Sequence, residues 1–212
     1  MVSLALADQF YLIGHHETTG RGRLATRCLG LGLASALLGE LLYAGNVWLQ
    51  DGKLRLVGRT VPQDALAHAV FDQLAAQPGH SDVRTWVQFF SGSASGLVAE
   101  RLWRAGYLRP ESSRRFFGGK SVVYVPADSN RAAVPSALLS MKLRRRHPLY
   151  PDESFLVGLC MATGLDRILL DGVPAEVRRY ADEAVASVWV PAYELVRATQ
   201  AAVGDVVLTA RG

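Results

Sequence analysis

The stretch Leu24–Leu49 constrains this chain more than any other. It reads LATRCLGLGLASALLGELLYAGNVWL, with Glu40 as its single acid. Wound as a helix, Leu29, Leu31, Leu33, Leu37, Leu38, Leu41 and Leu42 leave no polar face. Such a helix sits at the centre of a core or crosses a membrane. Its length is near the roughly 20 apolar residues a span needs. Gly30, Gly32 and Gly39 thin it, and a charged Glu near a bilayer centre costs several kcal/mol. The reading is therefore a buried core helix, with a membrane span as the alternative. Glu40 is expected to be a buried carboxylate with an Arg or backbone partner, because unpaired it would cost several kcal/mol or take up a proton. Gly45 is the expected stop. Asp51-Gly52 then reads as a tight turn between 46–50 and 53–57.

The rest of the chain reads as helices that wrap this one. Half of the 212 residues are apolar, which excludes disorder and allows a sizeable core. The spacing of Leu6, Phe10 and Ile13 predicts a helix over Ser3–Ile13, with Ser3 or Asp8 capping it or on its wet face. Pro62 is expected to open a helix lined by Leu66, Val70 and Leu74. Ser81 is expected to cap a helix carrying Val83, Trp86, Val87 and Phe90. Ser91–Gly96 reads as a flexible linker, and Leu97–Ala105 as a further amphipathic helix. Tyr107-Leu108 and Val122–Val125 read as the arms of a β-hairpin. Val134, Leu138 and Met141 are taken as the inward face of the next helix. The last third is helical, punctuated by Gly164, Pro174 and Pro191. The fold class is mainly α, a helical core around the central apolar helix with a projecting β-hairpin, in a single domain over 1–212.

The residues argue against several chemistries. His15-His16-Glu17 lacks a second ligand pair at zinc spacing, so no metal is expected. Gly30-Leu31-Gly32 lacks the strand and the downstream acid of a dinucleotide site. Ser91–Gly96 places Ala94 where a hydrolase elbow needs serine. No catalytic constellation stands out, so neither an enzyme nor a cofactor is expected. Cys28 and Cys160 lie in apolar surroundings and read as reduced thiols of a cytoplasmic protein. The start of the chain lacks the basic region of a secretory signal.

Charge supplies the positive signal. The formal net charge is +4. Three basic runs stand out: Arg21, Arg23 and Arg27; Arg114, Arg115 and Lys120 beside Phe116 and Phe117; and Lys142–Arg146. Runs of one sign, one of them with adjacent aromatics on a hairpin tip, favour an anionic surface partner. Nucleic acid is the alternative partner: helix, helix and hairpin in that order describe a winged helix, with Glu100, Arg101 and Arg104 facing the groove.

SLALADQFYLIG, LLGELLYAGNV, DVRTWVQFFSG, RLWRAGYL and FLVGLCMATGLDRIL, in that order, give the chain its kinship. Together they resemble the Golgi phosphoprotein 3 family, over nearly the whole length. The Ala- and Arg-rich composition is similar to its bacterial, actinobacterial-type branch. The resemblance implies an α-helical domain with a projecting hairpin that serves self-association near the membrane-facing side. It also implies a peripheral membrane adaptor. Eukaryotic members bind phosphatidylinositol 4-phosphate and retain glycosyltransferases through their cytosolic tails. The partners it implies are an anionic membrane surface, cargo tails and a second copy of the chain. The family's headgroup tryptophan falls near Ala25, and its arginines near Ala34, Gly92 and Ser95. These differ here, so Arg21, Arg23 and Arg27 are the candidate headgroup residues. Arg114, Arg115, Phe116, Phe117 and Lys120 are the candidate membrane or self-association hairpin.

Overall fold

The computed structural model describes residues 4–57, 61–114 and 120–209, without the side chains of 112–114 and 120–122. Among them the first helix, α1 (Leu6–Gly14), leads through a folded loop into α2 (Thr26–Tyr43). The antiparallel pair β1 (Val47–Gln50) and β2 (Lys53–Leu56) comes next, then α3 (Ala65–Ala75) and α4 (Val83–Arg104). A second hairpin joins β3 (Leu108–Arg114) to β4 (Lys120–Pro126). The chain ends in α5 (Ser129–Arg144), α6 (Pro151–Thr163), the short α7 (Asp166–Leu169), α8 (Ala175–Ala186) and α9 (Val190–Thr209).

The apolar run folds as α2, and every residue from Cys28 to Gly39 is buried. Helices α1, α4, α6 and α9 all pack on it. No helix among the described residues is long and apolar enough to cross a membrane. The glycines let the partners close in. A methyl group at Gly30 would overlap the Ser91 carbonyl of α4, and one at Gly32 or Gly39 would overlap Phe10 or Phe155. The Gly30–Ser35 stretch is therefore helix interior, and the Ser35 hydroxyl is joined to that of Thr199 on α9 at 2.6 Å. Gly45 follows the last turn with a φ of 72°, the left-handed stop that glycine adopts without strain. Asp51 and Gly52 both have positive φ, as a two-residue turn between paired strands requires.

Glu40, near the end of this helix, has the partners a buried carboxylate needs. Arg101 of α4 grips it with two hydrogen bonds, 2.8 and 3.0 Å, and the Ala7 amide donates to it at 2.9 Å. The same guanidinium donates to Asp8 at 2.8 Å and to Asp64 at 3.0 Å. One arginine thus ties α1, α2, α4 and the cap of α3 together. Burial works against the Arg101 charge, but the bond and charge of Glu40, with Asp8 and Asp64, outweigh it and raise its pKa.

Several expectations are corrected. Ser91–Gly96 lies inside α4, a continuous helix of 22 residues. Val87, Phe90, Ala94, Val98 and Leu102 form an unbroken buried stripe through it, so packing overrides the weak helix propensity of Gly and Ser. The segment 97–104 is the second half of α4 and not a separate recognition helix: Arg101 is tied to Asp8, Glu40 and Asp64, and Arg104 pairs with Glu100 at 2.5 Å. Asp82, not Ser81, caps α4, accepting from the Thr85 amide at 2.8 Å. Asp64, not Pro62, marks the start of α3, accepting from the Ala67 amide at 2.9 Å. Asp8 is buried and neither caps α1 nor faces water; Ser3 lies outside the described residues. On α5 the buried face is Ala132, Pro135, Leu139 and Leu143, while Val134, Leu138 and Met141 are exposed.

Candidate functional site around Arg27

The three loop arginines are treated differently by the fold. The loop after α1 turns back on that helix: the His16 amide donates to the Arg21 carbonyl and the Arg23 amide to the Gly14 carbonyl, each at 2.8 Å. His15 stacks on Tyr11 at 3.8 Å, and its Nδ1–H donates to the Tyr11 carbonyl at 2.7 Å. Burial lowers its pKa, so the imidazole is neutral around pH 7. Arg23 closes the loop: its Nε donates to the His15 carbonyl at 3.1 Å and its guanidinium pairs with Glu17. A backbone hydrogen bond first, and Arg23 with it, hold the Glu17 carboxyl below the usual range. Arg23 is thereby spent on the loop. Arg21 and Arg27 are exposed, and neither has an ion-pair partner among the described residues.

Arg27 stands in the first turn of α2, whose N-cap is Ala25. Alanine offers no side-chain acceptor, so the positive end of this long helix is uncapped and exposed. Arg27 also lines a cavity of about 230 Å³. Leu31 forms its α2 wall, Gln88 and Ser91 come from α4, and Asp205 and Thr209 come from α9. Asp205, an exposed carboxylate on this wall, is paired with Arg84. The Ser91 hydroxyl donates to the Gln88 carbonyl at 2.7 Å. The cavity thus brings the Arg27 guanidinium, which has no ion-pair partner among the described residues, together with Gln88, Ser91 and Thr209, beside an apolar wall of Leu31, Ala202 and Val206 and the paired Asp205. That combination suits one phosphate or carboxylate group.

Of the positions near which the resemblance puts the family's headgroup residues, Ala25 is the N-cap of α2, Ala34 lies on α2, and Gly92 and Ser95 lie on α4. Ala34 is fully buried between its neighbours, and Gly92 is exposed on α4 with open space around its Cα. Ser95 is half-buried. None of these positions carries a cationic side chain, and Arg27 is the cation in the first turn of α2.

The other basic clusters divide in the same way. Lys142 is taken up by Glu153 of α6 at 2.6 Å, and Arg144 donates to the Asp171 carbonyl at 2.7 Å. Arg145 and Arg146 are exposed. Arg115, Phe116 and Phe117 lie outside the described residues, as do the side chains of Arg114 and Lys120. The backbone pairs Arg114 with Lys120 at the end of the ladder, so the hairpin itself is present. Sequence reasoning missed Gln88 of α4 and Asp205 and Thr209 of α9 as lining residues, because nothing in the local sequence shows that these two helices meet beside Arg27.

The architecture is that of a mainly α protein wrapped on one buried axial helix, with two small hairpins. The chain belongs to the Golgi phosphoprotein 3 (GPP34) family, whose model matches residues 6–206. No curated protein matches the chain.

Proposed function

We propose that this protein is a peripheral membrane adaptor that reads an anionic lipid headgroup with Arg27 and holds a protein tail elsewhere on its surface. The observation that carries the lipid half is the state of the loop arginines. Arg23 is consumed by Glu17, whereas Arg27 has no ion-pair partner among the described residues, stands at an uncapped helix end and lines a cavity whose one carboxylate, Asp205, is paired with Arg84. Leaving a cation unpaired beside a concave surface favours an anionic ligand. The cavity is small for a whole inositol phosphate, so a single phosphate would enter it. Arg21 would add attraction from the surface at about 1 kcal/mol. The adaptor half rests on family membership. In this reading the hairpin residues Arg114, Arg115, Phe116, Phe117 and Lys120 supply a second contact, with the membrane or with another copy of the chain.

Co-sedimentation with vesicles tests the lipid half. The protein should bind vesicles containing phosphatidylglycerol or phosphatidylinositol 4-phosphate, and release as salt shortens the screening length. Equal binding to neutral phosphatidylcholine vesicles would contradict it.

A further inference from the structure

A second cavity, of about 560 Å³, lies where the start of α1 meets the end of α2, the entry to α3 and the end of α4. That volume falls within the roughly 300–1,000 Å³ of small-molecule sites. Leu6, Tyr43 and Pro62 give it apolar walls. Its charged lining is Asp8, Glu40, Asp64, Asp152 and Arg101. Among the described residues the lining sets four carboxylates against one guanidinium, an excess of three negative charges when all four are ionised.

The hydrogen bonds show which acceptors remain. Arg101 occupies Glu40 fully and takes Asp8 through Oδ1. Asp64 gives Oδ1 to both Arg101 and the Ala67 amide, and its Oδ2 carries no bond among the described residues. Asp152, in the first turn of α6, has no hydrogen-bond or ion-pair partner among the described residues. Burial outweighs Arg101 at Asp8 and pushes its carboxyl up to about 6. At Asp8 the shared guanidinium therefore does not offset the burial of the carboxylate.

We propose that this cavity binds a small organic cation, an amine whose ammonium group meets Asp152 and Asp64 Oδ2 and whose apolar body lies against Leu6, Tyr43 and Pro62. The cavity size favours a free small molecule, and the charge deficit selects a cation over a neutral or acidic ligand. Binding is linked to protonation. The groups facing Asp8 are Arg101 of α4, Glu40 of α2 and Asp64 at the cap of α3, with Tyr43 and Asp152 completing the lining. Helix α5, which also packs on α1, contributes no charged residue to this lining. An added cation favours the ionised form of Asp8, so the amine should bind less tightly once Asp8 is protonated.

Calorimetric titration of the full chain with hexylamine, hexanol and hexanoate tests the proposal. Hexylamine should bind saturably at about pH 7.5 and several-fold more weakly at about pH 5, on either side of the Asp8 midpoint. Hexanol and hexanoate should not bind. Asp152 makes no hydrogen bond or ion pair among the described residues, and Asn keeps its shape at the start of α6, so Asp152→Asn should leave circular dichroism unchanged while hexylamine affinity falls about fivefold or more. Three results would overturn the proposal: no saturable hexylamine binding, hexanol binding as tightly as hexylamine, or indifference to Asp152→Asn. Binding of a lysine-containing peptide without binding of hexylamine would also overturn it, in favour of a protein ligand.

Discussion

Arg101 and Arg27 sit on adjacent helices and are spent in opposite ways. Arg101 is largely buried and shared by three carboxylates, from α1, from α2 and from the cap of α3. Arg27 is exposed, has no ion-pair partner among the described residues, and lines an open cavity. The difference is in what surrounds each side chain, since the residue type is the same. A buried cation must be paired within the fold or it is not tolerated. An exposed one costs little when unpaired, and is left available to a ligand. The fold therefore separates arginines that hold helices together from arginines that can meet a partner, and the Arg23–Glu17 pair lies between these extremes.

The largest effect that separates the two groups is expected at the buried network. Arg101→Ala strands Asp8 and Glu40, and should cost about 3–5 kcal/mol in chemical denaturation. Glu40→Leu should also destabilise, because it leaves Arg101 with less compensation. A Glu40→Leu variant that melts higher than the parent would contradict the pairing of Glu40 with Arg101 as a stabilising contact. Gly30→Ala tests the packing that keeps α4 beside α2: the added methyl overlaps the Ser91 carbonyl, and a loss of about 1–3 kcal/mol is expected. The pH dependence of Asp8 sharpens the picture further. Its carboxyl is raised from 3.8 to about 6, chiefly by burial. The folded chain therefore holds this proton more tightly than the unfolded chain. The Asp8 contribution to stability is greatest below about pH 4 and is lost as pH rises through 6. A carboxyl titration followed by NMR should show a midpoint near 6, and a midpoint near 4 would mean that Arg101 dominates. Arg23→Ala should cost no more than about 1 kcal/mol, since its pair with Glu17 is partly exposed.

How legible this was from sequence follows from the range of each interaction. The axial helix, its stop at Gly45 and the Asp51-Gly52 turn were readable, because each depends on residues adjacent in the chain. Burial of Glu40 with an Arg or backbone partner followed from its place in an apolar run, but the identity of Arg101 did not, since 61 residues separate the two. The break expected at Ser91–Gly96 came from local composition, while Ala94 and Val98 continue a stripe whose meaning depends on α2 lying alongside. On α5 a plausible spacing picked the exposed face, because two apolar stripes compete and only tertiary contacts choose between them. At the candidate site, Arg21, Arg23 and Arg27 were visible as a cluster. That Glu17 would occupy one of them and α9 would wall in another depends on packing at long range.

The most direct test of this division measures stability and vesicle binding on the same variants. Arg21→Ala with Arg27→Ala should move the denaturation free energy by no more than about 0.5 kcal/mol. The same change should lower partition onto anionic vesicles at low salt by about 2 kcal/mol, roughly thirtyfold, and flatten its salt dependence. Unchanged vesicle binding in a stably folded variant, or a loss of stability comparable to that of Arg101→Ala, would contradict the account.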